Sequence, residues 1–287
     1  MSIAKYLKQK TFKGTFSIVC GGSKGIGKAV AGDLVQYGGS VLILARNKEH
    51  LLKAQKELEQ RKSNKDQIID ALQCDTVDEK AVGSIFTECL KKYGVPDYLI
   101  NNVGFASPGY VTKYILPDFV QNMNINYYGQ LVPTLALLPY FIKAKKGHLI
   151  FVSSMLGYIG SMGYATYCPT KFAVVGLAEA LRHELKPYNI RVSVIYPPDT
   201  DTPGYKKENE TKPPECAIIT GGRGGLLTPE QISDALIKGI VKNKYQILPG
   251  EASFVFKMYR HFPKLVRWIY DNDLKKASKK LAKGIVK

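Results

Sequence analysis

Short apolar runs and amphipathic stretches alternate along almost the whole chain, and that alternation narrows the folds open to it. Phe16–Val19 enters a run of glycines and is followed by a helical pattern from Gly25 to about Tyr37. Val41–Leu44, "VLIL", reads as a buried strand and Lys48–Lys62 as a charged amphipathic helix. Ala71–Gln73 and Val77–Tyr93 repeat the pair, and Tyr98–Ile100 leads into "NNVG" ahead of two helical stretches around 117–142. His148–Val152 and Ile190–Ile195 are further strands, separated by a helix from about Tyr164 to Leu185, and Gln246–Leu248 fits a last short one. Strands that are apolar throughout, rather than at alternate positions, need cover on both faces. Repeated β–α units with right-handed crossovers therefore predict a single doubly wound α/β domain: a mainly parallel sheet, helices on both faces, and a ligand crevice at the carboxyl ends of the strands.

With 287 residues, 45% of them hydrophobic, the chain can bury one large core. The reading assigns that domain to about residues 12–250, with 1–11 as an N-terminal extension and 251–287 as a separate basic segment. One long connection, about 199–225, is rich in Pro, Gly and Thr and predicts a mobile lid. The five cysteines show no CxxC and no regular spacing, which fits free thiols in a reducing compartment and no zinc site. "MSIAKYLKQKTFKG" has no apolar core of the signal-peptide kind. The longest apolar stretch, Gln130–Ile142, is too short for a bilayer span and reads as a buried helix. The formal charge of +17 asks for an acidic partner: nucleic acid, anionic lipid or a phosphorylated cofactor.

Two stretches carry chemistry. After the first strand comes "CGGSKGIG", where Gly21, Gly25 and Gly27 allow a tight turn and close approach of a pyrophosphate to a helix N-terminus. The bland alternative is an ordinary strand–helix turn. The second strand ends "ILARN", with Arg46 where an acid would bind the ribose 2′-hydroxyl of NAD, and Lys24 lies inside the glycine turn. Two cations around one 2′-phosphate favour NADPH, against the alternative of two solvated surface charges. Downstream, "HLIFVSSMLG" puts Ser153 and Ser154 at a strand end, and "YATYCPTK" places Tyr167 one helical turn before Lys171. Ser154, Tyr167 and Lys171 can then converge on one carbonyl. Tyr167 would give a proton, Ser154 would hydrogen-bond the developing oxyanion, and the Lys171 cation would lower the phenol pKa.

Over roughly residues 12–250 the chain resembles the short-chain dehydrogenase/reductase family, whose fold is of the Rossmann type. "CGGSKGIG" resembles its glycine motif, "NNVG" (101–104) its NNAG, "NINYYG" (124–129) its asparagine segment and "YCPTK" its YxxxK. The resemblance implies a catalytic set of Asn126, Ser154, Tyr167 and Lys171, with the asparagine holding a water that relays protons to the lysine. It further implies cofactor contacts from Gly21, Ser23, Lys24, Gly25, Ile26, Gly27, Arg46, Asn102 and Thr202, from Asp75 at the adenine, and from Tyr167 and Lys171 at the nicotinamide ribose. Four positions depart from the family pattern: Cys20, Val103, Thr170 and Pro198. None removes a reacting group.

Within that family, "GLAEALRHELKPYNIRVSV" and "YPPDTDTPGYKKENETKPPE" (196–215) look like 3-ketodihydrosphingosine reductases. That resemblance implies NADPH-dependent reduction of the 3-ketone of a long-chain sphingoid substrate at a membrane, on the cytosolic face of the endoplasmic reticulum in a eukaryote. It also implies a homodimer or homotetramer built on the helices around 117–142 and 164–185. Unlike some members, the chain has no apolar N-terminal span. The alternatives are reduction of another lipophilic ketone or aldehyde (steroid, retinal, fatty acyl) and a catalytically silent scaffold. A nucleic-acid binder would need a recognisable module, and none is present.

The C-terminal segment bears on the membrane expectation. Residues 251–287 hold ten Lys/Arg against three Asp/Glu, a net of +7. In Glu251–Tyr270, Phe254, Met258, Phe262, Leu265 and Ile269 fall on one helical stripe, opposite Lys257, Arg260, His261, Lys264 and Arg267. Such a segment suits a membrane surface, with Pro263 kinking or dividing it. The other reading is that the stripe packs on the protein's own core or on a second subunit.

Overall fold

The computed structural model describes residues 11–220 and 225–284. Almost all of the expected N-terminal extension, residues 1–10, lies outside them, as does part of the lid. Seven strands form one sheet in the order β3-β2-β1-β4-β5-β6-β7, and every pairing is parallel. They are β1 (Phe16–Cys20), β2 (Ser40–Ala45), β3 (Ile69–Gln73), β4 (Tyr98–Asn101), β5 (Gly147–Val152), β6 (Ile190–Ile195) and β7 (Gln246–Ile247). The all-apolar strands are the central ones, as double-sided burial requires: β1 is buried at every position, and β2 at its four inner residues.

Two helical layers supply the cover. On one face α1 (Gly25–Gln36), α2 (Lys48–Glu59) and α9 (Pro229–Val241) bury Val30, Leu34, Leu51, Leu58, Leu236 and Ile240. On the other, α3 (Glu79–Tyr93), α5 (Gly129–Ala144) and α6 (Cys168–Glu184) bury Phe86, Leu137, Phe141 and Val174. The strand order reverses between β1 and β4, which opens a crevice at their carboxyl ends. Register puts Cys20 beside Asn101, and Val152 beside Ile195, so "CGGSKGIG", "NNVG", "SSMLG" and "YPPDTDTPG" all leave the sheet along one edge.

Several expected boundaries move, each for a local reason. The third strand begins at Ile69, and α2 ends at Glu59 because Gln67 folds back, accepting from Ser63 N and Asn64 N and donating to Val35 and Gly39 carbonyls. α3 starts after Asp78, whose carboxylate caps Ala81 N. The two stretches around 117–142 form a nearly continuous rod: α4 (Leu116–Met123), a π-helical turn Asn124–Tyr128, then α5, which carries Pro133 and Pro139 inside it. α6 begins at Cys168 rather than Tyr164, since Tyr164–Tyr167 make the preceding turn.

The 199–225 connection is not a bare loop over its described residues. Thr202 caps α7 (Pro203–Asn209), and Pro214 opens α8 (Pro214–Thr220), both prolines taking the first helical turn where no amide hydrogen is needed. Beyond β7 the chain divides at Phe262 into α10 (Ala252–His261) and α11 (Pro263–Ala282). The face of α10 that packs on the body is Ala252, Val255, Phe256 and Tyr259. Phe256 stacks on Tyr158 and Tyr196 at ring separations of 5.0 and 6.1 Å.

Candidate active site

The glycine turn after β1 is tight. A Cβ on Gly27 would stand 2.2 Å from the Gly21 carbonyl oxygen, and Gly21 and Gly25 hold φ of +77° and +53°. Asn102 donates to the Gly21 carbonyl at 3.1 Å, so its amide braces the turn. Lys24 is the N-cap of α1 without capping it, and the first turn of α1 carries no acid. The opening amides of α1 therefore present a positive helix end framed by Ser23, Lys24, Gly25 and Ile26. From the opposite side Thr202 closes in, its methyl 3.0 Å from where a Gly25 Cβ would lie. Arg46 extends from the end of β2 with its side chain 63% exposed, and its nearest carboxylate, Asp75, is 4.0 Å away. This cradle fits a dinucleotide: the glycine turn and the opening amides of α1 would hold its pyrophosphate, with Lys24 and Arg46 available to its phosphates.

The second group forms where β5 and α6 meet. Ser154 leaves β5, accepts from Leu156 N at 3.1 Å and acts on the Tyr167 phenol, favouring its ionised form. Tyr167 precedes the first residue of α6, and the one-turn spacing brings Lys171 Nζ 5.5 Å from its ring centroid. That lysine is buried and donates to the Val152 carbonyl at 3.0 Å. Asn126 lies in the π-helical turn, a local widening that recurs at functional sites. Its side chain accepts from Phe105 N (2.8 Å) and donates to Phe105 O (3.0 Å) and Thr170 Oγ1 (3.1 Å). Gly104 fits between the two groups: a Cβ there would lie 3.1 Å from Lys171 Nζ and 3.2 Å from Asn126 Oδ1. Ser154, Tyr167, Lys171 and Asn126 thus surround one small volume at the crevice.

The short chain dehydrogenase family model matches residues 16–213, which hold both groups. The chain belongs to the short-chain dehydrogenase family. It is 38% identical over 239 residues to the 3-dehydrosphinganine reductase of Danio rerio, spanning 83% of this chain and 72% of that protein. It is 36% identical over 249 residues to the 3-ketodihydrosphingosine reductase of Bos taurus, with 86% and 75% covered. The Dictyostelium discoideum protein of the same name is 38% identical over 258 residues, with 84% and 77% covered. This short-chain dehydrogenase is accordingly an oxidoreductase that uses a nicotinamide cofactor.

Three supports were not visible in the sequence reading. Gln130, one turn after Asn126, is buried and directs its amide toward the carbonyls of Asn126, Val103 and Val152, at 3.1, 3.2 and 3.1 Å. It ties the ends of β4 and β5 to the π-helical turn, and "NINYYGQ" offers only its i+4 spacing as a signal. Thr170, one of the departures from the family pattern, accepts from Asn126 and donates to the Tyr167 carbonyl at 2.7 Å. The lid adds Glu208, whose Oε1 accepts from Tyr164 OH at 2.5 Å and lies 3.6 Å from Lys212 Nζ.

Electrostatics overturns one expectation. Burial pushes the Tyr167 phenol well above its ordinary range. Glu208 pushes it the same way, and the Ser154 hydrogen bond pulls it back only in part. Lys171 does not lower it. Burial without a counter-charge drops the lysine itself to about 7, so much of its positive charge is lost near neutral pH. The phenol therefore stays protonated, the form that can donate a proton. A lysine held below its unfolded value costs stability at low pH. That cost is fully present below about pH 7 and disappears as pH rises through 7 toward 10.5, where the unfolded chain also loses its proton. Lys171→Met should therefore make the cofactor-free protein more stable than wild type at pH 6 by roughly 2–4 kcal/mol, less the lost Val152 hydrogen bond. Urea melts at pH 6, 8 and 10 should show that advantage shrinking; a difference constant with pH would contradict a buried, depressed lysine.

Proposed function

We propose that this enzyme reduces the 3-ketone of 3-ketodihydrosphingosine to dihydrosphingosine with NADPH. The observation that carries the reading is the Ser154–Tyr167–Lys171–Asn126 array beside a dinucleotide cradle, in a chain 36–38% identical to the three reductases named above. A nicotinamide cofactor, when bound, would supply the hydride for the carbonyl carbon. The protein's own groups handle the oxygen. Tyr167, held protonated by its surroundings, donates its proton to the ketone oxygen as charge develops there. Ser154, beside Tyr167 at the strand end, stabilises the same oxygen. Lys171 lies beside Tyr167 on the side from which its proton is replaced, and Asn126 and Thr170 fix the wall behind it.

NADPH is favoured because Arg46 and Lys24 are exposed near the end of β2 and the glycine turn, and Arg46 has only a loose 4.0 Å pairing with Asp75. Wild-type enzyme should show a higher kcat/KM with NADPH than with NADH on 3-ketodihydrosphingosine. Arg46→Ala should cut that preference by about 10- to 100-fold. A wild-type preference for NADH, or faster turnover of steroid, retinal or fatty acyl carbonyls than of the sphingoid ketone, would overturn the assignment.

The enzyme also works, in this reading, on the surface of the membrane that holds its insoluble substrate. The expected C-terminal stripe is only partly used by the fold: its Phe254 (68% exposed), Phe262 and Leu265 stay outside, as does the nearby Trp268 (64%). Lys257, Arg260, His261, Lys264 and Arg267 are exposed beside them. α11 packs against the lid helix α8, and Tyr270 hydrogen-bonds Ser161, which supports a substrate entrance bordered by lid and membrane segment together. Among the described residues no helix is long and apolar enough to cross a bilayer. A homo-oligomer is supported by exposed Val120, Leu135, Tyr140 and Phe172 on α4, α5 and α6, and a monomer by sedimentation at micromolar concentration would argue against it. For the membrane surface, Phe254→Ser/Phe262→Ser/Trp268→Ser should lower flotation with anionic vesicles at least about 10-fold, since each buried aromatic contributes roughly 1.5–3 kcal/mol at most. Unchanged flotation would leave these residues without that role. Cutting the chain at Gly250 is a poorer test, because Tyr158 donates to the Ala252 carbonyl and Phe256 fills the core.

A further inference from the structure

A sphingoid ketone carries an ammonium on the carbon next to the carbonyl. Whatever binds that ammonium must stand beside the group that protonates the ketone oxygen. Among the described residues, the lid meets this condition at one buried carboxylate. Glu208 lies near the end of α7 with its side chain 15% exposed. It is joined to the catalytic tyrosine through Tyr164, whose hydroxyl it accepts and whose ring centroid is 6.1 Å from that of Tyr167. Its negative charge also acts on the Tyr167 phenol, ahead of the more exposed Asp199.

The contacts of this carboxylate leave it room for a ligand. Both the Tyr164 hydrogen bond and the Lys212 ion pair fall on Oε1. Neither of these two contacts uses Oε2. Lys212, buried beside this carboxylate, also places its ammonium 4.6 Å from the Tyr205 ring centroid and 6.0 Å from that of Tyr164. A carboxylate kept in place by a tyrosine and a lysine through one oxygen offers the other to a donor arriving at Tyr167. Nothing in proton delivery to a ketone requires an acid here; its field opposes phenolate formation. An arriving cation would offset that field as the reaction proceeds.

We propose that Glu208 receives the substrate's 2-ammonium group and so selects amino-ketones over plain ketones. This rests on the reading of the substrate as a sphingoid ketone and adds to it the group that recognises the amine. The test compares kcat/KM for 3-ketodihydrosphingosine and for its 2-desamino analogue of the same chain length, at saturating NADPH, in wild type and in Glu208→Gln. Wild type should prefer the amino-ketone, and Glu208→Gln should reduce that preference by about 10- to 100-fold, mainly through KM. Equal use of the two ketones by wild type would overturn the assignment, and needs no variant to fold. So would a Glu208→Gln enzyme that binds NADPH but loses the same factor on both substrates, which is what a purely structural carboxylate would give. If wild type reduces neither ketone, the substrate reading itself is wrong and this inference falls with it.

Discussion

The buried ammonium of Lys171 organises the site. It is held at the Val152 carbonyl where β5 ends, under Gly104 and beside Asn126, where a side chain at 104 would crowd it. Placing it there fixes the start of α6 against the sheet, which in turn sets Tyr167 one turn away and within reach of Ser154. The cost is a lysine that burial pulls down to about 7. A buried lysine that titrates near neutral pH without a counter-charge is tolerated at functional sites because the chemistry uses it. Gln130 and Thr170 carry much of the bracing that keeps the surrounding strand ends and the π-helical turn from relaxing.

The sheet was legible because its strands are apolar without alternation, a pattern that leaves little freedom once glycine turns and helices follow each of them. The glycine turn and the Tyr167–Lys171 spacing were legible for a similar reason: each is a local sequence constraint with a local geometric consequence. What could not be read was the sign of the electrostatics. An i,i+4 tyrosine and lysine suggest a depressed phenol, but the outcome depends on how deeply each is buried and on Glu208, forty-one residues further along the chain. The lid helices were hidden too, since α7 and α8 are only seven residues each and rest on caps and tertiary contacts rather than on a hydrophobic period. For the C-terminal segment, helical periodicity picked a stripe that is largely solvent-facing. Ala252, Val255, Phe256 and Tyr259 pack instead, because the entry angle after Gly250 turns that face to Tyr158 and Tyr196.

These pieces suggest a division of labour across the molecule. The first half of the sheet presents the cofactor cradle, with its exposed cations. β5 and α6 present the proton-handling group. The lid, carrying Glu208, lies between that group and the α10–α11 segment, through Tyr164 on one side and the α8–α11 packing on the other. In the proposed reading, a substrate with a charged head and a long apolar tail would place its head at the lid carboxylate, its ketone at Tyr167 and its tail toward the apolar C-terminal face.

The account stands or falls on Tyr167 as the proton donor. Its direct test is the single-turnover rate of Tyr167→Phe with NADPH and the sphingoid ketone, alongside NADPH affinity by fluorescence titration. The predicted result is a rate lower by on the order of 100- to 10,000-fold, with cofactor affinity within a few-fold of wild type. A variant that turns over at a near-wild-type rate would contradict it.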